Sequence, residues 1–216
     1  MAEPIRIANC SGFLGDRRTA AYEMVTGGPI DVLTGDYLAE LTLAILAKQR
    51  LEDPAAGYAT QFLDHMDGVL EVCLDEGIKI VVNAGGLNPA GLAAAVERMA
   101  KGLGRRARVA AVSGDDLMPQ MNQLAGKLAH NVSGTTFDEL GEPLTANAYL
   151  GGWGIAAALD AEADVVVTGR VSDASLVVGP AAWHHGWAPT DYDLIAGAVA
   201  AGHVIECGAQ ATGGNY

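Results

Sequence analysis

The sequence predicts a layered α/β fold, Rossmann-like, built on a mostly parallel sheet of five to six strands with flanking helices. Three observations carry this. Short apolar runs rich in Val and Ile recur along the chain, segments of helical period lie between them, and the runs end in similar punctuation: a small polar residue, a glycine and a charge. Runs such as Ile78-Lys79-Ile80-Val81-Val82 and Asp164-Val165-Val166-Val167-Thr168 are β-branched and nearly continuous. They do not alternate with polar residues, which is the pattern of strands covered on both faces of a parallel sheet.

Taken in order, the expected strands are Ile5–Cys10, Ile30–Leu33, Ile78–Val82, Arg108–Val112 and Asp164–Thr168, with a weaker sixth at His203–Cys207. Helical spacing joins Leu38, Leu41, Ile45 and Leu46 after the second strand. It joins Phe62, Met66, Val69, Leu70 and Cys73 within Ala55–Glu76, and Leu92, Val96 and Met99 within Ala90–Leu103. Two further helices are expected at Gly152–Ala161 and Asp191–Ala201. Strand and helix in alternation imply right-handed crossovers.

The stretch 130–149 breaks the pattern, being polar and without a long period. Val132–Phe137 and Pro143–Ala146 could pair across Glu139–Glu142, so the stretch reads as an inserted hairpin or lid. No linker or low-complexity segment divides the chain, and 1–216 reads as one domain. The last residues, Ala211–Tyr216, look like a loop about to enter another element, which suggests a C-terminally truncated chain.

Composition excludes several classes. Formal net charge is −13, so nucleic acid phosphates and anionic lipid are repelled and neither is an expected partner. The three cysteines, Cys10, Cys73 and Cys207, are widely spaced and odd in number, which argues against a disulfide scaffold and for a reducing, cytoplasmic setting. No apolar signal core and no run of roughly 18 apolar residues occurs. The nucleophile elbow, the P-loop and the first-strand dinucleotide fingerprint are missing too.

Glycine makes up 28 of 216 residues, roughly twice the usual ~7 per cent. Much of it follows the apolar runs. Thr34-Gly35-Asp36, Ser113-Gly114-Asp115 and Thr168-Gly169-Arg170 share one form, and Asn83-Ala84-Gly85-Gly86 is a looser version. In a parallel sheet these loops gather at the carboxyl edge, where ligands of open α/β sheets bind at the point of strand-order reversal. The same residues also suit helix caps and turns.

Individual roles follow from chemistry. Asp36 and Glu40 are spaced one helical turn apart and are the candidates for a catalytic base. Asn83, Gly85, Gly86 and Asn88 could hold a carbonyl, and Ser113, Gly114 and Asp115 form a neighbouring polar turn. Gly169 and Arg170 leave a buried strand together; Arg170 could clamp an acid or phosphate, or pair with Asp173 or Asp164. Cys10 ends the first strand and is either a nucleophile or a small buried hydrophobe. His203, Glu206 and Cys207 lack a compact ligand signature, so no metal site is expected, and no cofactor is specified.

Five motifs together resemble the acyclic terpene utilisation (AtuA) family. They are Gly35-Asp36-Tyr37-Leu38-Ala39-Glu40-Leu41-Thr42, Asn83–Pro89, Ala146–Gly151, Thr168–Leu176 and Gly202–Asn215. The likeness spans the whole chain, which matches the front part of that family's N-terminal domain. It implies a role in breakdown of acyclic terpenes, or of related branched acids carried as coenzyme A thioesters. Such a protein would act on or bind a small acyl ligand, or serve as a non-catalytic partner subunit of a pathway carboxylase, and self-association is left open. Family members continue past the Gly-Gly-Asn motif that ends this sequence, so a site completed by later residues would be lacking and the chain an inactive fragment.

Overall fold

A computed structural model describes residues 3–139 and 141–213. Gly214 and Asn215, which close the last motif, and Tyr216 lie outside the described residues. The chain begins with β1 (Ile7–Asn9), α1 (Ala20–Thr26) and β2 (Val32–Gly35), then α2 (Glu40–Glu52), α3 (Gln61–Met66) and α4 (Leu70–Glu76). It continues through β3 (Lys79–Val82), α5 (Pro89–Gly102), β4 (Val109–Val112) and the short α6 (Met121–Leu124). It ends with α7 (Trp153–Asp160), β5 (Val165–Thr168), α8 (Ser175–His185) and α9 (Tyr192–Ile205).

All five strands are parallel, in the order β1-β2-β3-β5-β4. This is a Rossmann-like layered α/β fold. Strand side chains alternate between two covered faces. Leu33, Ile80, Val82, Val165 and Val167 meet residues of α1, α3, α4 and α5 on one side. Val32, Val81 and Val166 meet Ile155 and Leu159 of α7 and Leu176 of α8 on the other. Burial on both sides explains why the strands read as continuous apolar runs.

The order contains one reversal. The chain steps from β1 to β3, passes to the far edge for β4, then returns so that β5 fills the gap. With right-handed crossovers, a reversed step puts its helix on the opposite face. Accordingly the chain leaves β3 toward α5 on one face and leaves neighbouring β5 toward α8 on the other. The crevice of this fold therefore lies above β3 and β5. The register aligns Gly35 with Val82 and Val82 with Val167, so Asp36 and Asn83 emerge side by side, with Gly169 and Arg170 a step beyond.

Several expectations need correction. His203–Cys207 is no strand; it is the end of α9 and the turn after it. The stripe Ile195, Ala198 that packs on α8 continues to Gly202, and the Asn9 amide donates to Ile205 O and Glu206 O at 2.8 Å, satisfying carbonyls that strand pairing would have used. Ala55–Glu76 is two helices, broken at Gly68 with φ +72°. The paired hairpin within 130–149 is also absent among the described residues. Its base is instead stapled to the loop after β4 by the Asp116–Asn147 bridge, with a second bridge at Ala129–Thr136. Three helices, α1, the short α6 and α8, lie where none was expected. None of the described helices is long and apolar enough to cross a membrane.

The last three helices pack at glycine contact distance. A Cβ on Gly179 would lie 2.6 Å from Ile155 Cβ, and one on Gly202 would lie 2.9 Å from Ala174 Cα. Gly179→Ala is expected to destabilise by about 1–3 kcal/mol through overpacking against α7, read as a lower urea midpoint at unchanged slope.

Candidate functional site

Asn83 is fully buried at the end of β3. A buried amide must find its partners inside the protein. Its Oδ1 accepts from Tyr37 N at 2.7 Å, and its Nδ2 donates to Asp36 Oδ1 at 2.6 Å. Leu38 N donates to the same Oδ1 at 3.2 Å. Among the described residues Asp36 Oδ2 accepts no hydrogen bond. Burial pushes the Asp36 carboxyl up to about 7; the Asn83 amide pulls against this, while the charge of Asp173 adds to it. A carboxyl poised near neutrality can take and return a proton at physiological pH.

Arg170 is the second element of the site. Its side chain is only 5% exposed. Nη1 donates to Leu38 O at 2.9 Å and lies 3.0 Å from Asp173 Oδ1. The Tyr149 ring covers the guanidinium, with 4.1 Å between Cζ and the ring centroid, a cation–π contact. The Tyr149 hydroxyl in turn donates to Glu40. The buried Asp115 accepts from Arg170 N at 2.7 Å and from Asn147 Nδ2 at 2.9 Å, which ties the loop after β4 to the loop after β5. Arg170 Nε is buried with no hydrogen-bond partner among the described residues. Of the expected pairings for Arg170, the structure thus gives the one with Asp173, whereas Asp164 faces Lys79 and Arg108.

The loops therefore converge, but with a division of labour the sequence does not announce. Asp36, Asn83, Asp115, Gly169, Arg170 and Asp173 belong to one connected network. Glu40 does not share a helix face with Asp36, because α2 begins only at Glu40 and Asp36 sits in the loop before it. Glu40 is exposed, and the Tyr149 hydroxyl holds its carboxyl below the usual range. Asn88 caps α5, accepting from Gly91 N and donating to Ala55 O, so its amide is spent on structure. Gly86 N–H donates to Asn83 O, and a Cβ on Gly85 would lie 2.5 Å from Thr168 O. Gly85 lets the β3 loop close on the β5 end, and Gly86, at φ +52°, lets it approach Leu46 and Gly57. Ser113 and Gly114 are exposed at the end of β4, an edge strand, and among the described residues make no hydrogen bond into the network.

Cys10 is buried and burial pushes its thiol up to about 12, the setting of a small buried hydrophobe more than of a nucleophile. It neighbours the buried Tyr37, whose hydroxyl pairs with His65 Nδ1 at 2.7 Å. His203 and Glu206 form an i,i+3 pair at 3.2 Å, and the described residues hold no group of three metal-ligating side chains.

One space adjoins Asp36, and a second lies next to it. A void of about 10 Å³, the size of one water, is lined by Asn9, Thr34, Asp36, Asp173 and Glu206 among others. A wider cleft of about 390 Å³ lies outside it, between the starts of α7 and α8 and one side of α9. Asp173 and Glu206 line both. The cleft residues Trp153 and Val199 carried no site signal in the sequence, and the only cue for Asn9 was its place at a strand end. Thr34 showed only as the first residue of a strand-end turn, and Ser172, Ser175, Tyr149 and Asn147 only as parts of family motifs.

Fold and geometry thus define an open-sheet α/β protein with a buried carboxyl, its pKa raised by burial, at its carboxyl rim. The model of the acyclic terpene utilisation family protein AtuA matches residues 5–216, and the chain belongs to that family. Comparison with curated proteins and with solved structures gives no match.

The raised carboxyl has a consequence for stability. Unfolded, Asp36 loses its proton near 3.8; folded, it keeps it until about 7. In that window folding takes up a proton, so stability present in acid is lost as pH rises through the folded value. Asp36→Asn is expected to flatten the fall in stability between pH 4 and 7 by a few kcal/mol and to raise stability at pH 8. Denaturant titrations of both proteins at matched pH check this; parallel curves would show that Asp36 is not perturbed.

Proposed function

We propose that this protein binds a small acyl compound, a thioester in particular, at the carboxyl rim of its sheet and moves a proton at it through Asp36, within breakdown of acyclic terpenes or branched acids. The observation that carries this is the Asp36 carboxyl. It is buried, fixed through Oδ1 by Asn83 and the Leu38 amide, without a hydrogen bond to Oδ2 among the described residues, and Asp36 lines a one-water void. Family membership supports the pathway.

In this reading Asp36 is the catalytic base, and its proton resides on Oδ2. Asn83 and Arg170 are positioning residues. Asn83 sets the carboxyl's orientation, and Arg170 ties Leu38 O and Asp173 together so that the β2 loop and the β5 loop stay in register. A general base of this kind contributes about 10²–10⁴ in rate.

The test is solvent deuterium uptake at the carbon next to the thioester carbonyl, followed by mass spectrometry with branched acyl thioesters. The expected result is uptake by the native protein and a loss of at least about a hundredfold in Asp36→Asn. Arg170→Ala should also fall strongly, with a shifted pH profile, because Asp173 then acts on Asp36 unopposed. Uptake at an unchanged rate in Asp36→Asn would remove the assignment. Ligand-induced stabilisation with no uptake in the native protein would favour a binding subunit over an enzyme.

A further inference from the structure

The cleft between α7, α8 and α9 has no role in the site as assembled above, yet it shares two walls with the void beside Asp36. Its chemistry is divided. Trp153, Val178, Ile195 and Val199 make an apolar side. Ser172 and Ser175, whose hydroxyls are 2.6 Å apart at the start of α8, supply neutral hydrogen-bonding groups. Asp173 and Glu206 stand where the cleft meets the void. The volume, about 390 Å³, falls at the lower end of the range of small-molecule sites.

The charge balance around Asp36 is one-sided. Arg170 is the buried cation of the network, and Asp173 already lies 3.0 Å from it. Asp115 accepts from its backbone, and Glu206 faces the same void without Arg170. His203 also lines the cleft, but it is paired with Glu206 at 3.2 Å and is mostly exposed. A free carboxylate entering here would meet two carboxylates, Asp173 and Glu206, while Arg170 and His203 are already paired with those same two groups. Like charges brought together out of water cost several kcal/mol.

From this juxtaposition we infer that the α7–α8–α9 cleft is the binding site for the acyl body of the ligand, and that it selects an uncharged carbonyl compound, ester or thioester, over the free acid. The apolar wall takes the branched chain. The serine hydroxyls and the void take the neutral carbonyl end, and Asp173 and Glu206 turn away the ionised acid. This rests on the reading of Asp36 as the proton-active group, but it concerns which ligand reaches that group and by which route.

The test uses three probes with the same branched ten-carbon body: the free acid, its methyl ester and its N-acetylcysteamine thioester. Binding to the native chain is measured at pH 8 by calorimetry and by thermal shift. Both neutral probes should bind at least about tenfold more tightly than the acid, a ratio equal to about 1.4 kcal/mol. Val199→Trp, a change at a half-exposed position on α9 that fills the cleft, should weaken the neutral probes by a similar factor without lowering the melting point of the free protein. Trp153→Ala provides a second variant should the first fold poorly. Equal or tighter binding of the acid, no binding of either neutral probe, or neutral binding untouched by both variants would each overturn the inference. Neutral binding that depends on the cleft, together with deuterium uptake that ignores Asp36→Asn, would leave the cleft in place and remove only the assignment of the base.

Discussion

The rim of this molecule hangs on one buried amide. Asn83 has no water to bond with, so each of its polar atoms must be met from within. It meets Tyr37 N with its oxygen and Asp36 with its nitrogen, and so pins the loop after β2 across the end of β3. Everything further out follows from that placement. Tyr37 is directed inward to His65, Leu38 offers its carbonyl to Arg170, and Arg170 brings Asp173 to the void. An apolar residue at 83 would leave the Tyr37 amide buried without its partner, at about 1–3 kcal/mol, and would leave Asp36 Oδ1 with the Leu38 amide as its remaining donor among the described residues.

Much of the frame was legible because its cause is local. β-branched runs such as Ile80-Val81-Val82 and Val165-Val166-Val167 have no polar face, and a strand buried on both sides needs none. What failed to show in the sequence failed for identifiable reasons. α8 is buried along most of its length and carries Pro180, so it has neither an amphipathic stripe nor a clean helical composition. α1 is too short for a period to emerge. His203–Cys207 looks like a strand because Val204 and Ile205 are β-branched, but tertiary packing on α8 decides for helix.

The site was legible as a place and less so as a set of roles. Glycines after strands do mark the rim, yet Gly85 and Gly86 are there because backbone and side chains of other elements occupy the space a Cβ would need. Asp36 and Glu40 look like a pair only if the helix begins before Asp36, and a boundary error of four residues separates them. Tyr149 could not be found from spacing at all. It reaches Arg170 across a loop closed by the Asp116–Asn147 bridge, a contact set by tertiary structure.

The same glycine logic shapes the space next to Asp36. Gly152 and Gly179 let α7 and α8 approach until backbone meets backbone, and Gly202 does the same for α9 against Ala174. Gly152 also lines the cleft, and Gly202 lines the void. A side chain at 202 would therefore act twice, pushing α9 from α8 and filling the one-water space that Asp36 lines. Packing and cavity are not separate demands here. The helices must come close enough for Asn9 to hold the end of α9 over the sheet, and the residue that permits this is the one that also leaves the buried carboxyl room for a single small neighbour.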